Sequence, residues 1–225
     1  MTDAHFHRST YDTFLSAGGR EVRFHGVHPW QLDAYPDDIF AARLAEIRGL
    51  VEGVRAAVLA DPHAGVGEIG LDRLRSKAVP EAQRLAFALQ LGVAAECRRP
   101  AVLHGAKCWG EVVKLCRPHA GRIPAFLFHG FSRSEGLLPD IYALNGFVSV
   151  GPAVLNDHAV NYRALVKAIA PDRVLVETDA DVDAASGAPA ARDVLLKLAE
   201  IRGQSADALE AVVDANAARF TESLA

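Results

Sequence analysis

Short apolar runs that end on a histidine or an acid are the feature that most constrains the fold of this 225-residue chain. Each run has the length and composition of a strand, and helical patterns separate one run from the next. Imidazoles and carboxylates bind divalent cations such as Zn²⁺ or Mn²⁺, and parallel strands that end around one mouth would bring such side chains together. The six candidate ligands are His5, His7, Glu68, His104, His129 and Asp179.

The first two candidates, His5 and His7, lie two residues apart near the N-terminus. A strand has a period of two, so both imidazoles point to one face and are placed to bind one metal ion. A short His-x-His also arises by chance at surface or core positions. The pair by itself therefore leaves both interpretations open.

Glu68 interrupts an apolar, glycine-rich run that otherwise predicts a buried strand. An unpaired buried carboxylate is costly, so this position requires a cation or a proton. The glycines Gly65, Gly67 and Gly70 also match the dinucleotide-binding pattern, which needs a helix that opens directly on the last glycine. The next helical pattern begins only near Pro80, which argues against a nucleotide loop.

Three further apolar runs stop at candidate ligands, namely His104, His129 and Asp179. The carboxyl end of a strand is the position where a barrel of parallel strands carries its chemistry. A single histidine at a strand end is more often a hydrogen-bonded structural residue. Five strands that end in this way, in order, favour a metal centre.

Strand and helix patterns alternate along the chain and predict an α/β fold, a TIM-barrel-like ring of parallel strands with right-handed crossovers. Without repeats or linkers, residues 1–225 are expected to form a single domain. Seven strands are predicted, at residues 2–7, 21–28, 64–71, 100–105, 124–130, 146–151 and 173–179. Helices are predicted at residues 37–60, with a break near Gly49 or Gly53, and at 80–97, 109–118, 134–144, 158–170 and 189–201, with more helix to the end.

The composition of the chain narrows the function classes. No apolar run approaches the length of a bilayer span and the first residues lack a signal-peptide pattern, so a cytoplasmic protein without a membrane partner is expected. The three cysteines form no Cys-x-x-Cys pair and predict neither disulfides nor a thiolate zinc site. A net charge of −4 gives no general basic footprint for nucleic acid. The densest basic groups, residues 98–99 and 73–77, are typical of a solvated surface.

Taken together, the motifs resemble those of the TatD family of metal-dependent hydrolases, and the resemblance spans nearly the whole chain. The family's His-x-His, Gly-x-His-Pro, Gly-Glu-Ile-Gly-Leu-Asp, strand-end His, His-x-Phe-Ser and Glu-Thr-Asp motifs match, in order, residues 5–7, 26–29, 67–72, 104, 129–132 and 177–179. The resemblance implies two divalent ions, Zn, Mn or Mg. It assigns one ion to His5, His7, Glu68 and Asp179 and the other to Glu68, His104 and His129.

The resemblance also implies an activity, the hydrolysis of a phosphodiester in DNA by a metal-activated water, with 3′-to-5′ trimming of single strands as its leading form. Glu68 would bridge the two ions, and Asp179 is the predicted general base. His28, at a mouth loop, and Lys107, just after a strand end, are candidate substrate contacts, with a structural histidine and a solvated lysine as the alternatives. Glu177 lies deeper on the strand face of Asp179 and is predicted to be a structural acid paired with a buried cation or hydroxyl.

Two other functions stay open at this point. Related barrels use the same constellation to hydrolyse amides, lactones or esters of small molecules. Alternatively, the chain is a metal-stabilised binding protein without turnover, although a ligand set that leaves coordination positions for water favours an enzyme.

The chain departs from the family's pattern in three places. Only fourteen residues separate His7 from Val22, where the family usually has a strand-helix-strand segment, so one βα unit is predicted to be missing and the mouth to be open beside residues 26–30. An exposed strand edge invites association, so a monomer or a weak homodimer is expected. Arg133 replaces the glycine after His-x-Phe-Ser, and the usual arginine near the third histidine is absent, with Lys107 the nearest cation.

Overall fold

An eight-stranded sheet forms the centre of the computed structural model, which describes residues 1–75, 79–132, 135–181 and 190–224. The strands are β1 (Asp3–Phe6), β2 (Thr13–Ala17), β3 (Arg20–His25), β4 (Gly65–Asp72), β5 (Ala101–Ala106), β6 (Phe126–Phe128), β7 (Gly146–Val150) and β8 (Val174–Val176). The helices are α1 (Leu44–Ala60), α2 (Glu81–Cys97), α3 (Trp109–Cys116), α4 (Leu138–Ala143), α5 (Val160–Ala168), α6 (Ala191–Arg202) and α7 (Ala206–Phe220). Short 3-10 turns lie at Pro29–Ala34, Phe40–Arg43, Arg117–His119, Glu135–Leu137, Pro152–Leu155, Pro171–Arg173 and Glu222–Leu224.

The strands follow one another around a ring in sequence order. β3 to β8 pair in parallel, whereas β2 runs antiparallel to both β1 and β3. The ring closes between its ends, because the backbone N–H of His7 donates to Ala180 O at 2.8 Å and that of Asp179 donates to His5 O at 3.0 Å. The predicted α/β, TIM-barrel-like fold is confirmed.

The predicted number of strands is wrong, because the described residues form eight strands rather than seven. The additional strand is β2, which occupies the segment where a βα unit was expected to be missing. Gly18 and Gly19, with φ of +58° and +78°, form the two-residue turn into β3, a conformation that glycine adopts without strain. A segment too short for a parallel crossover can still supply an antiparallel strand, because a hairpin needs only two loop residues.

β2 also corrects the prediction of an open mouth. It pairs along its length with β3 and at both ends of its register with β1, so it fills the space between the first strand and the turn before Pro29. The exposed edge that led to the expectation of a homodimer is therefore not found among the described residues. The oligomeric state itself stays a prediction.

The helices cover the outside of the ring with apolar faces. One side of α1 is buried at a spacing of three or four residues, with Ile47, Val51, Val54 and Val58. In α7 the buried Asn216 donates its Nδ2–H to Val174 O at 2.7 Å, which ties the last helix to the start of β8. β6, β7 and β8 are buried at every position, as expected for parallel strands covered on both faces.

The predicted helices lie close to the observed ones, with one clear shift at the start of the first. The pattern over residues 37–60 predicts a helix broken near Gly49 or Gly53, but Phe40–Arg43 forms a 3-10 turn and α1 continues unbroken from Leu44 to Ala60. The predicted break is wrong. None of the helices in the described parts of the chain combines the length and the apolar character that a bilayer span requires.

A pair of glycine substitutions tests the hairpin turn. A Cβ at Gly19 or at Gly49 meets no atom within 4 Å, so neither change to alanine creates a clash. Alanine at position 19 must adopt a left-handed conformation at a cost of about 1–2 kcal/mol, whereas alanine inside α1 gains about 0.5–1 kcal/mol. We expect the free energy of unfolding, measured by denaturant titration, to fall with Gly19→Ala and to rise with Gly49→Ala. Changes of the same sign would contradict the turn geometry.

Candidate metal centre

Six side chains meet at the mouth formed by the carboxyl ends of the strands. Glu68 lies midway along its strand, and each of the other five lies in the last part of a strand or within three residues of its end. The set is His5 and His7 at β1, Glu68 on β4, His104 on β5, His129 after β6 and Asp179 after β8. All six ligands expected from the sequence are therefore brought together.

Glu68 lies at the centre of this cluster, with only 3 % of the residue exposed. Its Oε1 is 2.6 Å from both His104 Nδ1 and His129 Nε2. Its Oε2 is 3.4 Å from His5 Nε2 and 4.0 Å from His7 Nε2. The carboxylate therefore faces two separate pairs of imidazoles, one with each oxygen.

Asp179 completes the group on the Oε2 side of Glu68. Its Oδ1 lies 3.2 Å from His7 Nε2 and 3.4 Å from His5 Nε2, and these two ring nitrogens are 3.1 Å apart. Ligand atoms of a tetrahedral zinc site lie about 3.3 Å from one another, given the usual bond lengths. The spacing and the mixture of nitrogen and carboxylate donors therefore fit a divalent cation.

Burial and charge oppose each other in the cluster. Burial would raise the pKa of Glu68, but the charge of His129 and the hydrogen bond with His104 hold that pKa well below its ordinary value. Burial and His129 lower the pKa of His5, yet hydrogen bonds with Asp179 and Glu68 outweigh them and raise it to about 9. Burial likewise opposes ionisation of Asp179, whose pKa is held far below normal by its hydrogen bond with His5. The buried, ionised Glu68 and the second carboxylate beside it require positive charge, from imidazolium or from a metal ion.

Asp72 holds the side of His104 that faces away from the cluster. Its Oδ2 is 3.0 Å from His104 Nε2 and accepts the indole N–H of Trp30 at 2.7 Å. Oδ1 accepts the backbone N–H of Leu74 at 2.6 Å, and the Asp72 backbone N–H donates to Gln83 Oε1 at 2.8 Å. A carboxylate on one ring nitrogen fixes the tautomer and leaves the other nitrogen to a metal. His104 therefore presents its Nδ1 lone pair to the cluster.

Glu177 is buried close to His129 and has partners of its own. It accepts hydrogen bonds from the Ser149 hydroxyl and from the backbone N–H of Gly130, the latter at 2.7 Å. Its Oε1 also lies 3.8 Å from His129 Nδ1. The prediction of a structural acid paired with a buried hydroxyl is confirmed.

The glycines of β4 serve close packing rather than nucleotide binding. The whole segment Gly65–Asp72 is strand, so no helix opens on Gly70, as the sequence argument against a dinucleotide site predicts. A Cβ at Gly70 would lie 2.0 Å from His104 O, and one at Gly67 would lie 2.8 Å from a side chain of β5. Without side chains at these two positions, β4 and β5 approach closely enough to place Glu68 against His104.

His28, a candidate substrate contact, lies inside the mouth and is 6 % exposed. Its Nδ1 accepts the backbone N–H of Trp30 at 3.1 Å, so the proton of the neutral ring is on Nε2. That Nε2 is 3.5 Å from Glu68 Oε1. Burial lowers the pKa of His28 although Glu68 is near. The geometry makes His28 a neutral hydrogen-bond donor at the mouth rather than a ligand.

Lys107, the other candidate contact, lies at the rim and not in the cluster. It is exposed and lines a cavity of about 350 Å³ together with His104, His129 and Asp179. A neighbouring cavity of about 300 Å³ shares the same three residues and also contains His28. Arg133, which replaces a glycine of the family's pattern, lies outside the described residues.

The family model described as TatD related DNase matches residues 3–222 of the chain. The chain belongs to this family. The 3′-5′ ssDNA/RNA exonuclease TatD of Cronobacter sakazakii (strain ATCC BAA-894) is 32 % identical over 207 residues, which cover 87 % of this chain and 74 % of the relative. The protein of the same description from Pectobacterium carotovorum subsp. carotovorum (strain PC1) is 30 % identical over 206 residues, 86 % of this chain and 75 % of the relative. The predicted family is confirmed, and with it the predicted class of enzyme, a hydrolase of ester bonds; metal dependence is typical of TatD proteins.

Solved structures show the same fold. A TatD homolog from Escherichia coli K12 superposes with a TM-score of 0.71 at 23 % identity, over 88 % of this chain and 75 % of that chain. An uncharacterized amidohydrolase from Saccharomyces cerevisiae also gives 0.71, at 15 % identity, over 88 % and 79 % of the two chains. The matched region thus covers about three quarters of the length of this TatD homolog.

Asp72 is the residue of the centre that the motif analysis missed, since it appeared there only as the last letter of a signature. A signal was present in the sequence. Asp72 lies four residues after Glu68 in the same strand and so points to the same face by the period of two.

Removal of the Asp72 carboxylate tests whether it orients the imidazole of His104. We expect Asp72→Ala to weaken Zn²⁺ binding by about 10–100-fold, the usual effect of losing a carboxylate behind a histidine ligand, in titrations against a competing chelator. Asp33→Ala is the matched control, because Asp33 lines the same cavity as Asp72 but pairs with Arg75 at 2.8 Å. Equal zinc affinities of the two variants would contradict the role of Asp72.

Proposed function

We propose that this protein is a divalent-metal-dependent phosphodiesterase that removes nucleotides from the 3′ end of single-stranded DNA. The observation that carries the proposal is Glu68, whose two oxygens face two separate pairs of imidazoles. Such a carboxylate is suited to bridge two cations, and paired cations are typical of enzymes that displace an oxygen from a phosphate. The names of the relatives, 3′-5′ exonucleases of single-stranded DNA and RNA, support the same choice of substrate.

The donors divide into two sets that share Glu68. One set is His5, His7, Glu68 and Asp179, and the other is Glu68, His104 and His129. His28 belongs to neither, because Trp30 occupies its Nδ1 and its Nε2 carries a proton. With four imidazoles, the donor sets favour Zn²⁺ or Mn²⁺ over Mg²⁺, which prefers oxygen ligands. When bound, the ions would lower the pKa of a water molecule and neutralise charge that builds on the phosphate.

Asp179 is the general base of the proposed reaction. Its side chain is 51 % exposed, so water and substrate can reach it from the cavity at the mouth. Glu68 is unsuitable for this role because it is buried and both of its oxygens are engaged by imidazoles. A carboxylate at the mouth can accept the proton of the attacking water while it also contacts His5 and His7.

His28 positions the scissile phosphate in this proposal, and Lys107 contacts the substrate at the rim of the mouth. His28 supplies an Nε2–H donor beside Glu68, at a depth where a phosphate oxygen would approach the cluster. Lys107 supplies a positive charge at the rim of the same mouth. Both contacts favour an anionic substrate over a neutral ester.

Product analysis tests the proposed function. The purified protein, with its metals quantified, is assayed against single-stranded DNA labelled at the 5′ end and against small phosphodiesters, carboxylic esters and lactones. Stepwise shortening of the labelled DNA from its 3′ end is the expected result. Turnover confined to esters or lactones would replace the phosphodiester by a small-molecule substrate.

Metal analysis tests the ligand sets. We expect close to two divalent ions per chain and loss of turnover on chelation, both measured on the purified protein. A His5→Ala, His7→Ala double variant should lose mainly one ion, whereas Glu68→Ala should weaken both because its carboxylate is shared. The same residual metal content in the two variants would argue against a bridging Glu68.

Substitution of Asp179 separates catalysis from metal binding. Asparagine keeps an oxygen ligand but accepts no proton, so Asp179→Asn should retain much of the metal and lose about 10²–10⁴ in kcat. Asp181→Asn, which changes another acid of the same cavity, is the control and should turn over at nearly the wild-type rate. An Asp179→Asn variant that holds both ions and keeps wild-type turnover would assign the proton to another group, with His28 next in position.

A further inference from the structure

Two basic side chains lie together on one side of the mouth. The backbone N–H of Arg73 donates to Ala106 O at 3.0 Å, which continues the pairing of β4 with β5 and places Arg73 beside Lys107. Both side chains are exposed, and neither forms an ion pair with a residue that the structure describes. The two residues line one cavity of about 310 Å³ next to Trp109. The sequence pattern by itself indicates only a solvated surface for Arg73, and it makes Lys107 a candidate substrate contact.

The cavity of Arg73 and Lys107 continues into the cavity above the candidate metal centre. Lys107 and Trp109 line both, and the inner one reaches three of the candidate ligands. Glu111, the acid among the described residues that line the outer cavity, is paired with Arg84, whose Nε lies 2.6 Å from its Oε1, and Arg84 also pairs with Glu81 at 2.8 Å. Arg73 and Lys107 leave an excess of positive charge over these pairs. The path away from the metal centre on this side is therefore positively charged.

Acids line the cavities next to Trp30. Asp33 and Asp72 line the cavity beyond Trp30, and Asp181 lines the cavity between Trp30 and the metal centre. Among the described residues of the cavity beyond Trp30, the cation is Arg75, which is paired with Asp33 at 2.8 Å. A polyanion is attracted to uncompensated cations, so a strand with one end in the centre would extend toward Arg73 and Lys107.

We propose that Arg73 and Lys107 bind backbone phosphates on the 5′ side of the scissile bond, so that the DNA strand leaves the metal centre past Trp109. This inference rests on the proposed function, since it places the 3′ end of a single strand in the centre. The guanidinium of Arg73 offers paired N–H donors to phosphate oxygens, and the ammonium of Lys107 offers a point charge. Contacts to phosphates carry no base specificity, so the site accepts strands of any sequence.

Salt dependence of DNA binding tests this site. The dissociation constant of a single-stranded decanucleotide is measured from 50 to 300 mM salt in the Asp179→Asn background, in which cleavage is slow. Each measurement is made with and without Arg73→Ala and Lys107→Ala. Each phosphate contact on a single strand contributes about 0.7 to the slope of log K against log salt. We expect the double change to weaken binding at low salt and to flatten the slope by about 1.4, and each single change to flatten it by about 0.7. A dinucleotide, whose one phosphate occupies the metal centre, should show no difference between the variants.

Arg48→Ala with Lys167→Ala is the matched control. These residues lie on α1 and α5, are exposed and form no ion pair with a described residue, so the control removes the same charge from outside the mouth. We expect it to leave the slope unchanged. Equal flattening in control and test variants would show an effect of net charge and overturn the site.

Two further results separate this inference from the proposed function. If wild-type protein trims DNA but the Arg73 and Lys107 changes leave the slope unaltered, the phosphate site is overturned and the function stands. If those changes flatten the slope but wild-type protein cleaves no DNA, the strand-binding site is supported and the proposed activity fails. An equal loss of dinucleotide and decanucleotide binding would place both residues at the metal centre and overturn the proposed strand path.

Discussion

The buried carboxylate of Glu68 is the interaction on which the rest of the structure depends. An ionised acid with 3 % exposure is costly unless positive charge or hydrogen-bond donors surround it. Imidazoles from β1, β5 and the end of β6 supply that environment, two for each oxygen. These strands can meet only if the sheet curves into a ring whose carboxyl ends share one mouth. Stabilisation of the ionised Glu68 therefore requires a closed barrel.

The N-terminal hairpin shows how the ring closes with a shortened chain. A parallel crossover needs a dozen or more residues, whereas β2 turns back through Gly18 and Gly19 and occupies one strand position. β1 keeps the direction of the parallel strands, so His5 and His7 still point to the mouth. The segment loses a helix but keeps the two histidines in register with Asp179, through the backbone bonds between β1 and the residues after β8.

The acids at the mouth differ in exposure and in the groups that surround them. Glu68 is buried and saturated by imidazoles, Asp179 is half-exposed, and Glu177 is occupied by Ser149 and Gly130. Three acids of similar intrinsic pKa are therefore given different roles by their surroundings. Beyond the centre, the described charges are unequal, with acids around Trp30 and uncompensated cations at Arg73 and Lys107. An asymmetric field of this kind gives an anionic strand a direction.

The sequence by itself determined the fold class and the candidate ligands that the fold brings together, because histidines and acids at the ends of successive apolar strands seldom arise from packing alone, and their order matched one family. It also indicated Glu177 correctly, since strand periodicity alone places that acid below Asp179. The tertiary structure decided what depends on neighbours distant in sequence. The segment between His7 and Val22 is too short for a βα unit, and the sequence alone did not indicate that it forms β2. Only the pairing with β1 and β3 shows this strand. Likewise, the contact of Asp72 with His104 and the position of Arg73 beside Lys107 follow from the register of β4 against β5, which no local pattern encodes.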